Sequence, residues 1–105
     1  MPMQKSFLQR VLSALLEIPR GKVTTYGAIA EYLGNKNLSR AVGNALHHNP
    51  DGERYPCYRV VNAAGRLSKA YAFGGGAGQK ARLTLEGVEV HDGKVDLSVF
   101  GYFYK

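Results

Sequence analysis

The chain has 105 residues, 45% hydrophobic and 21% charged, which is enough apolar side chain for one core and too little charge for a disordered polymer. Fourteen Lys and Arg against eight Asp and Glu leave a net charge of +6, which favours a polyanionic partner, nucleic acid before a membrane surface. No apolar stretch approaches the ~18 residues of a membrane span, a single cysteine excludes an intrachain disulfide or a cysteine-based zinc site, and MPMQKS lacks the layout of a secretory signal, so one domain over residues 1–105 in the reducing cytoplasm is expected.

In chain order, Phe7, Val11, Ala14, Leu15 and Ile18 recur at helical spacing, with Leu8 and Leu12 widening the stripe. Ser6 followed by Gln9 predicts a capping box, and Pro19 and Gly21 end the helix. After a short extended run, Thr25 is placed to cap a helix over residues 26–33, stopped by Gly34. Asn37 is placed to cap a third helix over 38–48, halted by Asn49-Pro50. Two short strands are expected at 59–62 and 66–68, joined through Ala63-Ala64-Gly65, and a last helix over 77–86 ends before Gly87. Phe100, Tyr102, Phe103 and Tyr104 predict a tail packed on the core, as a final strand, because four aromatics on a free tail would be an association liability.

The expected fold is therefore mainly α with a small β hairpin. The pair of helices across Gly34-Asn35-Lys36-Asn37 has a helix-turn-helix pattern, with Arg40 near the start of the second helix, where such motifs reach DNA. The basic residues support this. Eight of them lie between positions 32 and 82, opposed only by Asp51 and Glu53, while Glu86, Glu89, Asp92 and Asp96 gather behind.

The chemistry centres on Pro56-Cys57-Tyr58-Arg59-Val60. A lone intracellular cysteine is commonly a buried filler. Here it follows a proline in an irregular segment with Arg54 and Arg59 close in sequence, and positive charge favours the nucleophilic thiolate.

Five motifs stand in order: Ile18-Pro19-Arg20-Gly21-Lys22-Val23-Thr24-Thr25-Tyr26-Gly27, Arg40-Ala41-Val42-Gly43-Asn44-Ala45, Asn49-Pro50, Pro56-Cys57-Tyr58-Arg59-Val60-Val61 and Glu86-Gly87. The set closely resembles the DNA-binding and active-site domain of the O6-alkylguanine-DNA alkyltransferases (methylated-DNA–protein-cysteine methyltransferases) and of the alkyltransferase-like proteins. The resemblance implies a winged helix-turn-helix-like domain that enters the minor groove of double-stranded DNA and flips an O6-alkylated guanine into a pocket. By resemblance, Tyr26 crowds the 3′ phosphate and Arg40 fills the vacated stack. Asn49 ties the helix-turn-helix to the active-site loop, and Thr25 and Arg59 join the DNA-contacting set. Cys57 accepts the alkyl group, with Tyr58 and Glu86 completing the catalytic set. Tyr71, Phe73 and Gly74 fall in the lesion-pocket loop. Transfer to sulfur needs no metal and no cofactor, the thioether has no easy hydrolysis, and one-lesion chemistry needs only a monomer.

Three departures separate this chain from the usual pattern. Tyr58 stands where the family places histidine, and a phenol with a reference pKa of ~10 is a poor base near neutral pH. His47 and His48 show no sequence reason to replace it. The sequence opens almost at the family's active-site domain, so a short form without the separate N-terminal domain of the larger alkyltransferases is expected, as in the alkyltransferase-like proteins, which bind the lesion and pass it to nucleotide excision repair proteins. The loop Ala70-Tyr71-Ala72-Phe73-Gly74-Gly75-Gly76 also differs, so either aromatic is a candidate to stack on the base. Three functions follow. Intact Cys57 favours a single-turnover S-methyltransferase. Tyr58, the short chain and the loop favour a non-catalytic lesion sensor. A general winged-helix regulator has no use for the Pro-Cys-Tyr-Arg-Val segment.

Overall fold

The structure is a computed structural model and describes residues 6–68 and 74–104. It is mainly helical, as the sequence pattern requires. Helix α1 spans Phe7–Leu16 and opens with a complete capping box: Ser6 Oγ accepts from Gln9 N at 3.1 Å, and Gln9 Oε1 accepts from Ser6 N at 3.0 Å. Val11, Leu12, Ala14 and Leu15 form its buried face. After the turn at Pro19, strand β1 (Thr24–Thr25) leads directly into α2 (Tyr26–Tyr32), where the Thr25 hydroxyl accepts from Ala28 N at 3.0 Å. Gly34, at φ +111°, takes the left-handed turn that releases the chain from α2.

The third helix differs from expectation at its start. Asn35, not Asn37, is the capping residue, and its side chain accepts from Asn37 N at 2.9 Å to set a 3-10 turn over Lys36–Leu38. Helix α3 then runs over Ser39–His47. An asparagine readily closes a turn on the amide two residues ahead, so the extra turn takes up the residues assigned to the helix start.

The strand pairing is also different. Strand β2 (Val60–Val61) pairs in parallel with β1, Thr24 opposite Val60 and Thr25 opposite Val61, and not with residues 66–68 in a hairpin. The expected turn is present: Asn62 N donates to Arg66 O at 3.1 Å, and Asn62 Oδ1 accepts from Ala64 N and Arg66 N. At Gly65 (φ +85°) the chain swings away, and Arg66 bridges antiparallel to Lys94. A side chain at Gly65 would run into the Val95 carbonyl oxygen, which accepts the close approach only because glycine has no Cβ. The two valines of β2 are fully buried, so a partner that continues the core outcompetes a solvent-edge hairpin.

Helix α4 spans Gly75–Leu85, starting two residues earlier than the pattern predicts, with Gly74 at its N-cap. The tail does pack, but as a short helix α5 (Leu97–Phe100) followed by a single bridge from Gly101 to Val23, not as a full strand. The Tyr104 hydroxyl donates to Ala14 O at 2.8 Å and its ring stacks on Tyr32 at 4.4 Å. The core joins α1, α2, α3, β2 and α4 through Val11, Leu15, Ile29, Val42, Val61 and Leu83. No helix among the described residues is long and apolar enough to cross a membrane.

Candidate functional site

The two ends of the helix-turn-helix present different chemistry. Tyr26 is the first residue of α2, and its ring lies over Gly43 of α3, where an added Cβ would sit 3.9 Å from Cδ1 and Cε1. The small residue therefore lets the helices close on the aromatic ring and hold it partly buried at the start of α2. Arg40 is the second residue of α3 and is exposed, a long cation leaving the end of the helix. Thr25 is 7% exposed, and its hydroxyl is engaged as the α2 cap.

At the other end of α3, Asn49 is 7% exposed and joins the helix to the cysteine loop. Its Nδ2 donates to Tyr55 O at 2.8 Å and its Oδ1 accepts from Asp51 N at 2.9 Å, which fixes the loop leading into Cys57. Cys57 opens a 3-10 turn over Cys57–Arg59 and is 5% exposed. Burial pushes its thiol above the ordinary range; the Asn49 hydrogen bond and the positive charge of Arg82 pull the other way without overcoming burial.

The arginines nearest in sequence do not supply that charge. Arg54 lies over the Tyr55 ring at 5.2 Å. Arg59 turns inward: its Nε and Nη2 donate to Glu86 at 2.9 and 2.6 Å, and its Nη1 donates to Ile18 O at 2.8 Å. Arg59, grouped from sequence with the DNA-contacting residues, is thus placed as an internal clamp.

Glu86 is the hub of this clamp. Its side chain is 2% exposed. Besides Arg59 it accepts from the Tyr58 hydroxyl at 2.6 Å and from Gly21 N at 3.1 Å. Burial opposes ionisation of the carboxyl, but Arg59, Tyr58 and Gly21 together hold it below the usual carboxylate range. Tyr58 is shifted upward, first by burial and then because its proton is donated to Glu86. A phenol in that state donates to a carboxylate and does not take a proton from a neighbouring thiol.

Two residues absent from the sequence-derived set complete the site, both on α4. Gln79 is 1% exposed; its Nε2 donates to Tyr58 O at 3.1 Å and Val60 O at 2.8 Å, and its Oε1 accepts from Ser68 N at 2.7 Å. Arg82 lies with its guanidinium carbon 4.6 Å from the Tyr58 ring centroid and donates to both carboxylate oxygens of Glu53, at 2.8 and 3.0 Å. The available signal was Gln79 and Leu83 at i, i+4 on one face, which puts a polar residue on the helix's buried stripe. Gly74 stands exposed at the start of α4, while Tyr71 and Phe73 lie outside the described residues.

Residues 6–88 match the family described as 6-O-methylguanine DNA methyltransferase, DNA binding domain. The chain is 40% identical over 102 residues to alkyltransferase-like protein 1 of Schizosaccharomyces pombe, covering 94% of each. It is 44% identical over 94 residues to the methylated-DNA–protein-cysteine methyltransferase of Mycobacterium bovis, covering 90% of this chain and 54% of that protein, so it spans about half the length of that relative. Among solved structures it is similar to S. pombe Atl1 in complex with damaged DNA containing O6-carboxymethylguanine, with a TM-score of 0.84 and 38% identity over 95% of this chain and 98% of that one. Both helices of the helix-turn-helix, the cysteine turn and Glu86 fall inside the matched span, and the chain belongs to the 6-O-methylguanine DNA methyltransferase family through its DNA-binding domain.

Proposed function

We propose that this protein binds double-stranded DNA carrying an O6-alkylated guanine, turns the base out of the stack and holds it beside Cys57. The observation that carries this reading is Asn49, which fastens the far end of α3 to the loop leading into Cys57 through its hydrogen bond to the Tyr55 carbonyl, while Arg40 stands exposed at the near end. Helix α3 thus stands between a cation suited to the base stack and the loop that carries the sole sulfhydryl. An alkylated base is flipped because its O6 is unreachable inside the duplex, and a planar guanidinium can occupy the space it leaves.

The geometry favours a lesion sensor. Burial keeps the thiol protonated, and Tyr58 is committed to Glu86, so no described group stands ready to remove the sulfur's proton. A sensor of this kind would pass the lesion to nucleotide excision repair proteins. A second reading, irreversible transfer, is favoured by the intact Cys57, whose upward shift Asn49 and Arg82 both oppose. In that step the sulfur–carbon bond forms as the carbon–oxygen bond breaks. The guanine keeps the bonding electrons and takes up the proton that leaves the sulfur.

Intact-mass measurement after incubation with methylated-guanine duplex separates the two. An unchanged mass with selective, tight binding is the sensor's result, and a gain of one methylene is the transferase's. Equal affinity for damaged and undamaged duplex overturns lesion recognition itself. Arg40→Ala is expected to weaken lesion binding by about 1–3 kcal/mol, roughly 5- to 150-fold. Lys94→Ala, changing an exposed residue of the 91–94 turn, is expected to do far less. Fluorescence anisotropy titrations at one salt concentration check this, and comparable losses would remove the intercalating role of Arg40.

A further inference from the structure

The basic middle of the chain is only partly accounted for. Arg59 and Arg82 are paired with carboxylates, Arg54 lies over the Tyr55 ring, and Arg40 leaves the start of α3. Arg66 and Lys80 remain. Both are exposed, and neither side chain has a hydrogen-bond or ion-pair partner among the described residues. They face one space. A cavity of about 400 Å³ beside the 91–94 turn is lined by Arg66, Leu67 and Asp92 and, from α4, by Gly76, Ala77 and Lys80. A Cβ added at Gly76 would meet nothing within 4 Å, so the first turn of α4 is open there. Two cations against the one carboxylate of Asp92 leave this lining with a single net positive charge.

Both cations are carried on fixed backbone. Arg66 N donates to Asn62 Oδ1 at 2.9 Å, Arg66 O accepts from Asn62 N at 3.1 Å, and Leu67 N donates to Gly93 O at 3.0 Å. Lys80 follows Gln79, whose buried side chain ties α4 to the Tyr58 and Val60 carbonyls. The strand pair decides where Arg66 stands. Strands β1 and β2 are parallel, so the residues that follow them leave the same end of the pair. Tyr26 follows β1 and starts the helix-turn-helix, and the 62–66 turn follows β2. Arg66 is therefore carried at the end of the strand pair from which the helix-turn-helix begins.

We infer that Arg66 and Lys80 clamp one phosphate of the DNA backbone, a contact separate from the helix-turn-helix. A phosphodiester carries one negative charge, which matches the net charge of the lining. A guanidinium and an ammonium both donate to phosphate oxygens, and fixed backbone beneath them limits the ordering cost to the side chains. A phosphate contact carries no base information; it sets the position of the duplex on the protein. This inference rests on the reading that the chain binds duplex DNA, but it does not require that the lesion be preferred.

The test is a salt series of anisotropy titrations with one duplex, with and without a single O6-methylguanine. The Arg66→Gln/Lys80→Gln double variant removes the clamp from two exposed positions, so its thermal midpoint should match the parent's. Loss of one phosphate contact lowers the slope of log affinity against log salt by about 0.9, so between about 50 and 200 mM salt the parent loses about 3.5 times more affinity than the variant. Both duplexes should weaken alike, with the parent's preference for the lesion retained. Arg10→Gln/Lys22→Gln removes the same charge from α1 and from the opposite end of the strand pair, and should retain the parent slope. A parent slope in the Arg66/Lys80 variant, or an equal fall in the Arg10/Lys22 variant, overturns the inference. Weakening confined to the damaged duplex also overturns it, because the cavity would then hold the altered base. Equal affinity of the parent for the two duplexes is a separate result: it removes lesion recognition and leaves the slope comparison intact.

Discussion

Glu86→Ala is expected to destabilise the protein by about 3–5 kcal/mol, because it leaves the buried Arg59 guanidinium without its counter-ion. The side chain of Arg59 is 14% exposed, and two of its three donor nitrogens point at Glu86. The Tyr58 hydroxyl and Gly21 N lose their acceptor as well. For a chain of this size each kcal/mol moves the thermal midpoint by about 4–8 °C, so the loss should exceed ten degrees by calorimetry or circular dichroism. Glu86→Gln, which retains the shape and one acceptor, should fall between the parent and the alanine variant. A shift of only a degree or two for alanine would mean that Arg59 finds water and that the hub holds little.

The same carboxylate sets a pH dependence. Glu86 is held below its unfolded-state pKa, so as pH falls the unfolded chain takes up the proton first. Its contribution is complete above the ordinary glutamate value of ~4.3 and is lost as pH falls through the lower folded value. In urea titrations the parent should therefore lose stability through that acid window, and Glu86→Gln should show a flatter profile there.

The second large effect is expected at Gln79. Gln79→Ala removes three hydrogen bonds in the interior, one each from the Tyr58 carbonyl, the Val60 carbonyl and Ser68 N. A buried group stripped of its partner costs about 1–3 kcal/mol, and the vacated volume adds to that. A total near 3 kcal/mol is expected, measured as a fall in denaturant midpoint with little change in slope. Gln79→Glu separates packing from hydrogen bonding, since it retains the shape but replaces the Nε2 donor with an acceptor facing two carbonyls. It should be at least as damaging as alanine. A Gln79→Ala protein of near-parent stability would show that the cysteine turn and β2 are held without this side chain.

Local features were readable in the sequence. The Ser6–Gln9 box, the Thr25 cap and the Gly34 stop each depend on atoms within four residues, and each forms where its spacing places it. Asn35 shows the limit, because two asparagines two apart offer two plausible caps and only the built turn chooses. The order of five motifs was enough to reach the family, since each motif is a short contiguous string.

What the sequence alone determined, then, is the helical order, the helix-turn-helix and the position of the thiol, because short-range hydrogen bonds and apolar spacing act within one or two turns of chain. Tertiary structure decided what Arg59 touches, that Arg82 of α4 covers the Tyr58 ring, and that Val60–Val61 lies beside Thr24–Thr25. Those choices depend on burial. A guanidinium two residues after Cys57 turns to a carboxylate 27 positions away because the interior leaves it no water, and no spacing rule in the chain records that.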